Sequence, residues 1–156
     1  MLGSFARGDE GPGEVSGLQR DLIVVTAVVG TATFVVAASV AAIWPDVLAT
    51  PVAVFDVALF AVGSIAFVWS FLQVVGRSRY EVVSVPGTWL LTGGVAPAPV
   101  RRILLGALAA QAVVALVTAS VRPFTPVAFG ILVPTFGLGL CGLWAARHGS
   151  FPARDR

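Results

Sequence analysis

Charge is scarce in this chain. Only 12% of its 156 residues are Asp, Glu, Lys or Arg, about half of the roughly 25% usual in a soluble domain. So few charges cannot cover a water-facing surface. A hydrophobic content of 57% and a mean hydropathy of +0.93 lead the same way, to an integral membrane protein. Cysteine occurs once, as Cys141, which excludes an internal disulfide and leaves the redox compartment unread. Histidine also occurs once. His148 has no Cys or acid beside it to complete a metal site and reads as helix-end chemistry. No nucleophile–base set, phosphate-cradling loop or haem-ligand pair is visible, and Gly93-Gly94 alone is too weak a signal for a phosphate loop. A basic face interleaved with aromatics, as nucleic acid would need, is missing too. The sequence therefore gives no reason to expect an enzyme, a cofactor or a nucleic-acid partner.

Long hydrophobic runs are what the chain has instead. Residues 1–21 form a Gly-rich polar tail with six charges. Residues 22–44 then run without a charge, roughly 34 Å of helix, enough to cross a hydrocarbon core of about 30 Å. The run is longer than the apolar part of a signal peptide, and its leader has more acids than bases, so a retained helix is expected. Pro45-Asp46 ends it and Pro51 opens the second run, 51–75, interrupted only by Asp56. The third run is 103–121, broken by Arg122-Pro123. The fourth is 126–146, closed by Arg147-His148-Gly149 and Pro152. The expected fold class is an all-α, four-helix transmembrane bundle (22–146) with a loop at 76–102 and a C-terminal tail at 147–156.

One stretch complicates that count. Residues 82–100, VVSVPGTWLLTGGVAPAPV, carry no charge over nineteen positions. Pro86, Gly87, Gly93, Gly94, Pro97 and Pro99 argue against a helix there, several at about 1–3 kcal/mol each. Charge placement argues harder. All ten basic residues are Arg. Four spans with an inner N-terminus put nine of the ten inside and only Arg122 outside, whereas a fifth span gives five against five. The stretch therefore reads as a cytoplasmic loop, and both termini as cytoplasmic. Val82 to Thr92 alternates like a β-hairpin around Pro86-Gly87, a pair suited to a type II turn. Such a hairpin would need to lie against the helix ends or the lipid interface, where Trp89 and Tyr80 are at home.

Several residues stand out as candidate sites. Asp56 is the one acid within a hydrophobic run, roughly 7 Å below the outer boundary at helical rise. An outer-rim ion pair with Arg122, with Asp46 in the same region, is the structural reading. A proton- or ion-linked role, or a contact with another subunit, is the alternative. Gln111 near the middle of the third run reads as an interhelical polar contact, worth about 0.6–2 kcal/mol, with Thr26, Thr31, Thr33 or Ser39 as candidate partners. Gly137, Cys141 and Ala145, Gly142 and Ala146, and Gly106 and Ala110 recur at four-residue spacing. That pattern lets helices approach closely, within one chain or between chains. Pro134 predicts a kink. Arg77, Arg79, Arg101, Arg102 and Arg147 set the topology and offer a lipid-headgroup surface, with Tyr80 and Glu81 beside the first two. Thr50-Pro51-Val52-Ala53 and Thr125-Pro126-Val127-Ala128 match at an offset of 75 shared by Trp69 and Trp144. This is either a duplicated helix pair or two helices that both start at Thr-Pro.

The segment RPFTPVAFGILVPTFGLGLCGLWAARHGSFPAR, residues 122–154, with PVRRILLGALAAQAVVALVTASV before it, resembles small four-span proteins of unknown function from high-GC Gram-positive (actinobacterial) bacteria. The complete lack of Lys and Asn, both encoded by AT-rich codons, agrees with a GC-rich source. The resemblance implies a location in the cell membrane and four helices, and it carries over no catalytic residue. The function expected is that of a non-enzymatic accessory or scaffold protein, partnered by the lipid bilayer and by itself or a larger membrane complex. The alternative is a small transporter or channel using Asp56 and Gln111.

Overall fold

The computed structural model describes residues 12–153, with side chains from residue 22 onward. Five α-helices follow in order: α1 Pro12–Ile43, α2 Pro45–Arg77, the one-turn α3 Val85–Trp89, α4 Ala98–Val121 and α5 Pro134–His148. A 3-10 helix, Pro126–Leu132, leads into α5. Four segments are long and apolar enough to cross a membrane: Leu22–Ile43, Pro45–Arg77, Ala98–Val121 and Pro126–His148. Large apolar side chains such as Val36, Val47, Ile65, Leu72, Val113 and Leu116 face outward along them. That is a surface for lipid, since a soluble chain rarely exposes so large an apolar patch.

The polar tail expected at 1–21 is helical from Pro12 on, and residues 1–11 lie outside the described residues. Pro51 does not open the second helix. α2 begins at Pro45, with only Trp44 between it and the end of α1, and runs through Pro51. Proline is at home in a first helical turn, and Pro45 takes that place. Its 33 residues make a rod of about 50 Å, longer than the roughly 30 Å core.

The hairpin expected at 82–92 is not formed, and the described residues contain no strand. Ser84 instead caps a short helix. Its hydroxyl accepts from the Gly87 N–H at 3.1 Å, and its carbonyl accepts from the Thr88 N–H and hydroxyl, each at 3.0 Å. Serine followed by proline in the first turn is a helix start, and this local bonding displaces the alternating pattern. Leu91, Gly93 and Gly94 then turn the chain at positive φ. Trp89 lies against the helix ends, the first of the two expected places. It is buried, with its ring 5.1 Å from that of Phe67 and 6.4 Å from that of Phe71. The loop plugs the end of the bundle, with Leu91 fully buried beside Leu104, Leu140 and Trp144. Glu81 forms an isolated bridge with Ala153, and Ser150 donates to the Val95 carbonyl.

α5 is the central helix. Its span is 56% buried, against 28% for each of the other three. It packs chiefly on α2, and α1 chiefly on α4. The small residues explain that depth. Gly137, Cys141, Gly142, Ala145 and Ala146 are all buried within the monomer. The closest approach is one the spacing pattern missed. A Cβ on Gly63 of α2 would overlap the backbone of Phe136, and one on Gly139 of α5 would overlap the Gly63 carbonyl. The two backbones are therefore in contact through paired glycines. Gly63→Ala is expected to destabilise the bundle by about 1–3 kcal/mol through overpacking. Gly76→Ala, which meets nothing within 4 Å, should leave stability unchanged or raised. Unfolding in mixed micelles compares the two.

Candidate functional site

Pro134 sets the geometry of the bundle centre. It has no N–H, so the Gly130 carbonyl cannot receive the usual helical bond from four residues on. The chain tightens to 3-10 geometry instead, and Val133 donates to that carbonyl at 3.0 Å. The expected kink is thus a change of helix type. The following turn leaves α5 with free N–H groups inside the membrane, where each needs a partner. Phe136 donates to the Val133 carbonyl at 2.8 Å. The Gly137 N–H donates to Oε1 of Gln111 at 3.1 Å, and Nε2 of Gln111 donates to the Thr31 hydroxyl at 2.7 Å. Gln111 is fully buried. One amide therefore caps α5 from α4 and ties both to α1. A Cβ on Gly137 would fall 2.5 Å from Oε1, so only glycine leaves room for this bond.

Asp56 is placed differently from the expectation. It is fully buried, and neither carboxylate oxygen has a hydrogen-bond partner. The outer-rim pair with Arg122 is not formed. Arg122 sends its guanidinium to the Ala42 carbonyl at 3.2 Å, capping the end of α1, and Asp46 is exposed. The reason is radial direction. Depth along the helix put Asp56 near Arg122, but its side chain turns into the bundle, toward Phe34 and Gly130. Asp56 and Gln111 are not brought together either. The apolar cleft of about 410 Å³ lined by Val25, Val29, Gly30, Phe55 and Phe136 is lined by neither of them.

At the opposite end Arg77 bonds within the chain. Its Nε and Nη2 donate to the two oxygens of Glu81 at 2.8 and 3.1 Å. Nη1 and Nη2 also donate to the carbonyls of Ala146 and Gly149, and the guanidinium lies 5.1 Å above the Phe151 ring. It is a C-terminal cap for α5, and its one ion pair, with Glu81, is the only salt bridge among the described residues. Arg79, Arg101, Arg102 and Arg147 are exposed at this same end. Gly106 is exposed with nothing near its Cα face, and Ala110 is half-buried. Ser70, fully buried, donates to its own Phe67 carbonyl. No cluster of three His, Cys, Asp or Glu that could hold a metal occurs among the described residues. Set against family models, curated proteins and solved structures, the chain matches none.

Two outcomes follow from these contacts. Gln111→Leu strands the Gly137 N–H and the Thr31 hydroxyl and is expected to cost about 1–3 kcal/mol of unfolding free energy. A double-mutant cycle with Thr31→Val should return a coupling of about 0.6–1.7 kcal/mol. Arg77→Lys keeps the charge but loses the planar fork. It should free residues 149–153 for proteolysis in detergent-solubilised protein, at a stability cost of about 1–3 kcal/mol.

Proposed function

We propose that this protein is a non-enzymatic accessory or scaffold component of a bacterial cytoplasmic membrane, with both termini in the cytoplasm, that packs against itself or a larger membrane complex. The observation that carries this reading is the state of Gln111. Its amide is engaged in bonds that hold three helices together, a structural use of the polar group that a pathway would need. The inward small residues are likewise consumed by internal packing, which leaves the open face at Gly106 on α4 as the place for another helix. The exposed arginines at one end fit the cytoplasmic side of the bilayer.

Transport is the second reading, and one observation favours it: a buried carboxyl without a partner at Asp56. Its route through Gln111 has lost support, because Gln111 is bonded to Thr31 and to the Gly137 N–H.

Crosslinking in native membranes, followed by identification of what is attached, tests the association. A specific adduct is expected, to a second copy or to another membrane protein. Gly106→Leu should abolish it without lowering monomer stability, since that position meets open space. A chain recovered only as monomer, with no attached partner, overturns the reading.

A further inference from the structure

Asp56 is the only acid buried in the bundle among the described residues, since Asp46 is exposed and Glu81 is bonded at the surface to Arg77. Its walls are apolar. A Cβ built on Gly130 of the 3-10 helix would lie 3.4 Å from Oδ2 and 3.4 Å from the Phe34 ring of α1, so carboxyl, ring and glycine meet at one point. Val52 and Ala53 are its buried neighbours on α2. The titratable and charged groups of the surrounding elements are engaged or directed elsewhere. Arg122 after α4 sends Nη2 to the Ala42 carbonyl and keeps a buried Nε without a hydrogen bond, forming no ion pair with Asp56; Cys141 belongs to the core around Trp144, and His148 ends α5 at the loop end of the bundle.

Candidate ligands fall away by size and chemistry. A metal ion would need further donors, and no suitable cluster is present among the described residues. A cationic side chain from another protein cannot reach a residue of zero exposure. An ionised carboxylate sealed among apolar groups is costly, while the neutral acid is tolerated there. The smallest ligand remains. We propose that Asp56 is an exchangeable proton-binding site closed off by the 3-10 helix Pro126–Leu132. This inference stands apart from the association proposed above, because it concerns the inside of one chain.

The lid is built to move more easily than an α-helix. Its 3-10 bonds are poorer in geometry, it has no side-chain cap, and it ends at the Pro134 discontinuity. Displacing it admits water beside Asp56. The carboxyl O–H bond then breaks with its electron pair left on oxygen, and the proton passes to water as hydronium. Rebinding reverses the step and restores the closed form.

Infrared difference spectroscopy on the full chain in lipid nanodiscs tests this, with aspartate carrying a heavy carbon in its side-chain carboxyl. The expected result is a C=O band of a neutral carboxylic acid, above the amide band, that shifts with the isotope. It should survive Asp46→Asn, vanish in Asp56→Asn, and fade reversibly as pH is raised from about 5 to about 10, a range in which exposed aspartates stay ionised. If Asp56→Asn fails to fold, Asp56→Glu identifies the band, because the glutamate carries no label and the isotope shift is lost, while Asp9→Asn, Asp21→Asn, Asp46→Asn and Asp155→Asn should each leave it in place. No such band at any pH means that Asp56 is ionised throughout and overturns the proposal. A band that ignores pH means a permanently neutral acid and overturns exchange.

Discussion

The bond from the Gly137 N–H to the Gln111 side chain is the contact on which the rest of the bundle turns. In lipid a free backbone N–H has no water to satisfy it. Pro134 creates that need by interrupting the helix in mid-membrane, and a neutral amide from another helix meets it. With the cap in place α5 can start inside the bundle, lie at its centre and present its small residues to α2, where Gly63 and Gly139 bring the backbones together. Thr31 then anchors the same amide to α1. One side chain thereby sets the relative positions of three helices.

How far this was legible in the sequence depends on the range of the forces involved. Four apolar runs were readable because burial in lipid is a property of whole segments. Gln111 as a cross-helix contact was readable because a lone amide in an apolar run has few other uses. The residues that went astray depend on rotation or on local bonding. Asp56 was placed by depth along its helix, and depth does not say which way a side chain turns. Val82 to Thr92 alternates like a strand, yet Ser84 and Pro86 start a helix, and that short-range bonding prevails. Arg77 was read from its charge alone, and charge does not say that its planar fork bonds Glu81 and two carbonyls of the chain. Gly63 carried a signal, a glycine in a Val- and Phe-rich run, but its match on α5 lies on another helix and no spacing rule joins them.

The apparent repeat shows the same limit. Thr50-Pro51 lies inside α2, while Thr125-Pro126 starts a 3-10 helix. Trp69 is 54% exposed and Trp144 only 2%. Equal letters at equal spacing occupy different environments here, so Thr-Pro does not mark the same structural event twice.

The end of the bundle that carries most of the arginines is closed by parts made at different times during synthesis. The loop with Trp89 is translated before α4 and α5, yet Val82 and Glu81 find their backbone partners in Pro152 and Ala153, beyond α5. Arg77 at the end of α2 likewise waits for the Ala146 and Gly149 carbonyls. A ribosome stalled after α4 would hold a nascent chain with an open mouth: Trp89 would have no α5 to rest on, and Arg77 would hold Glu81 alone. Closure of this face therefore waits until the last helix has been delivered.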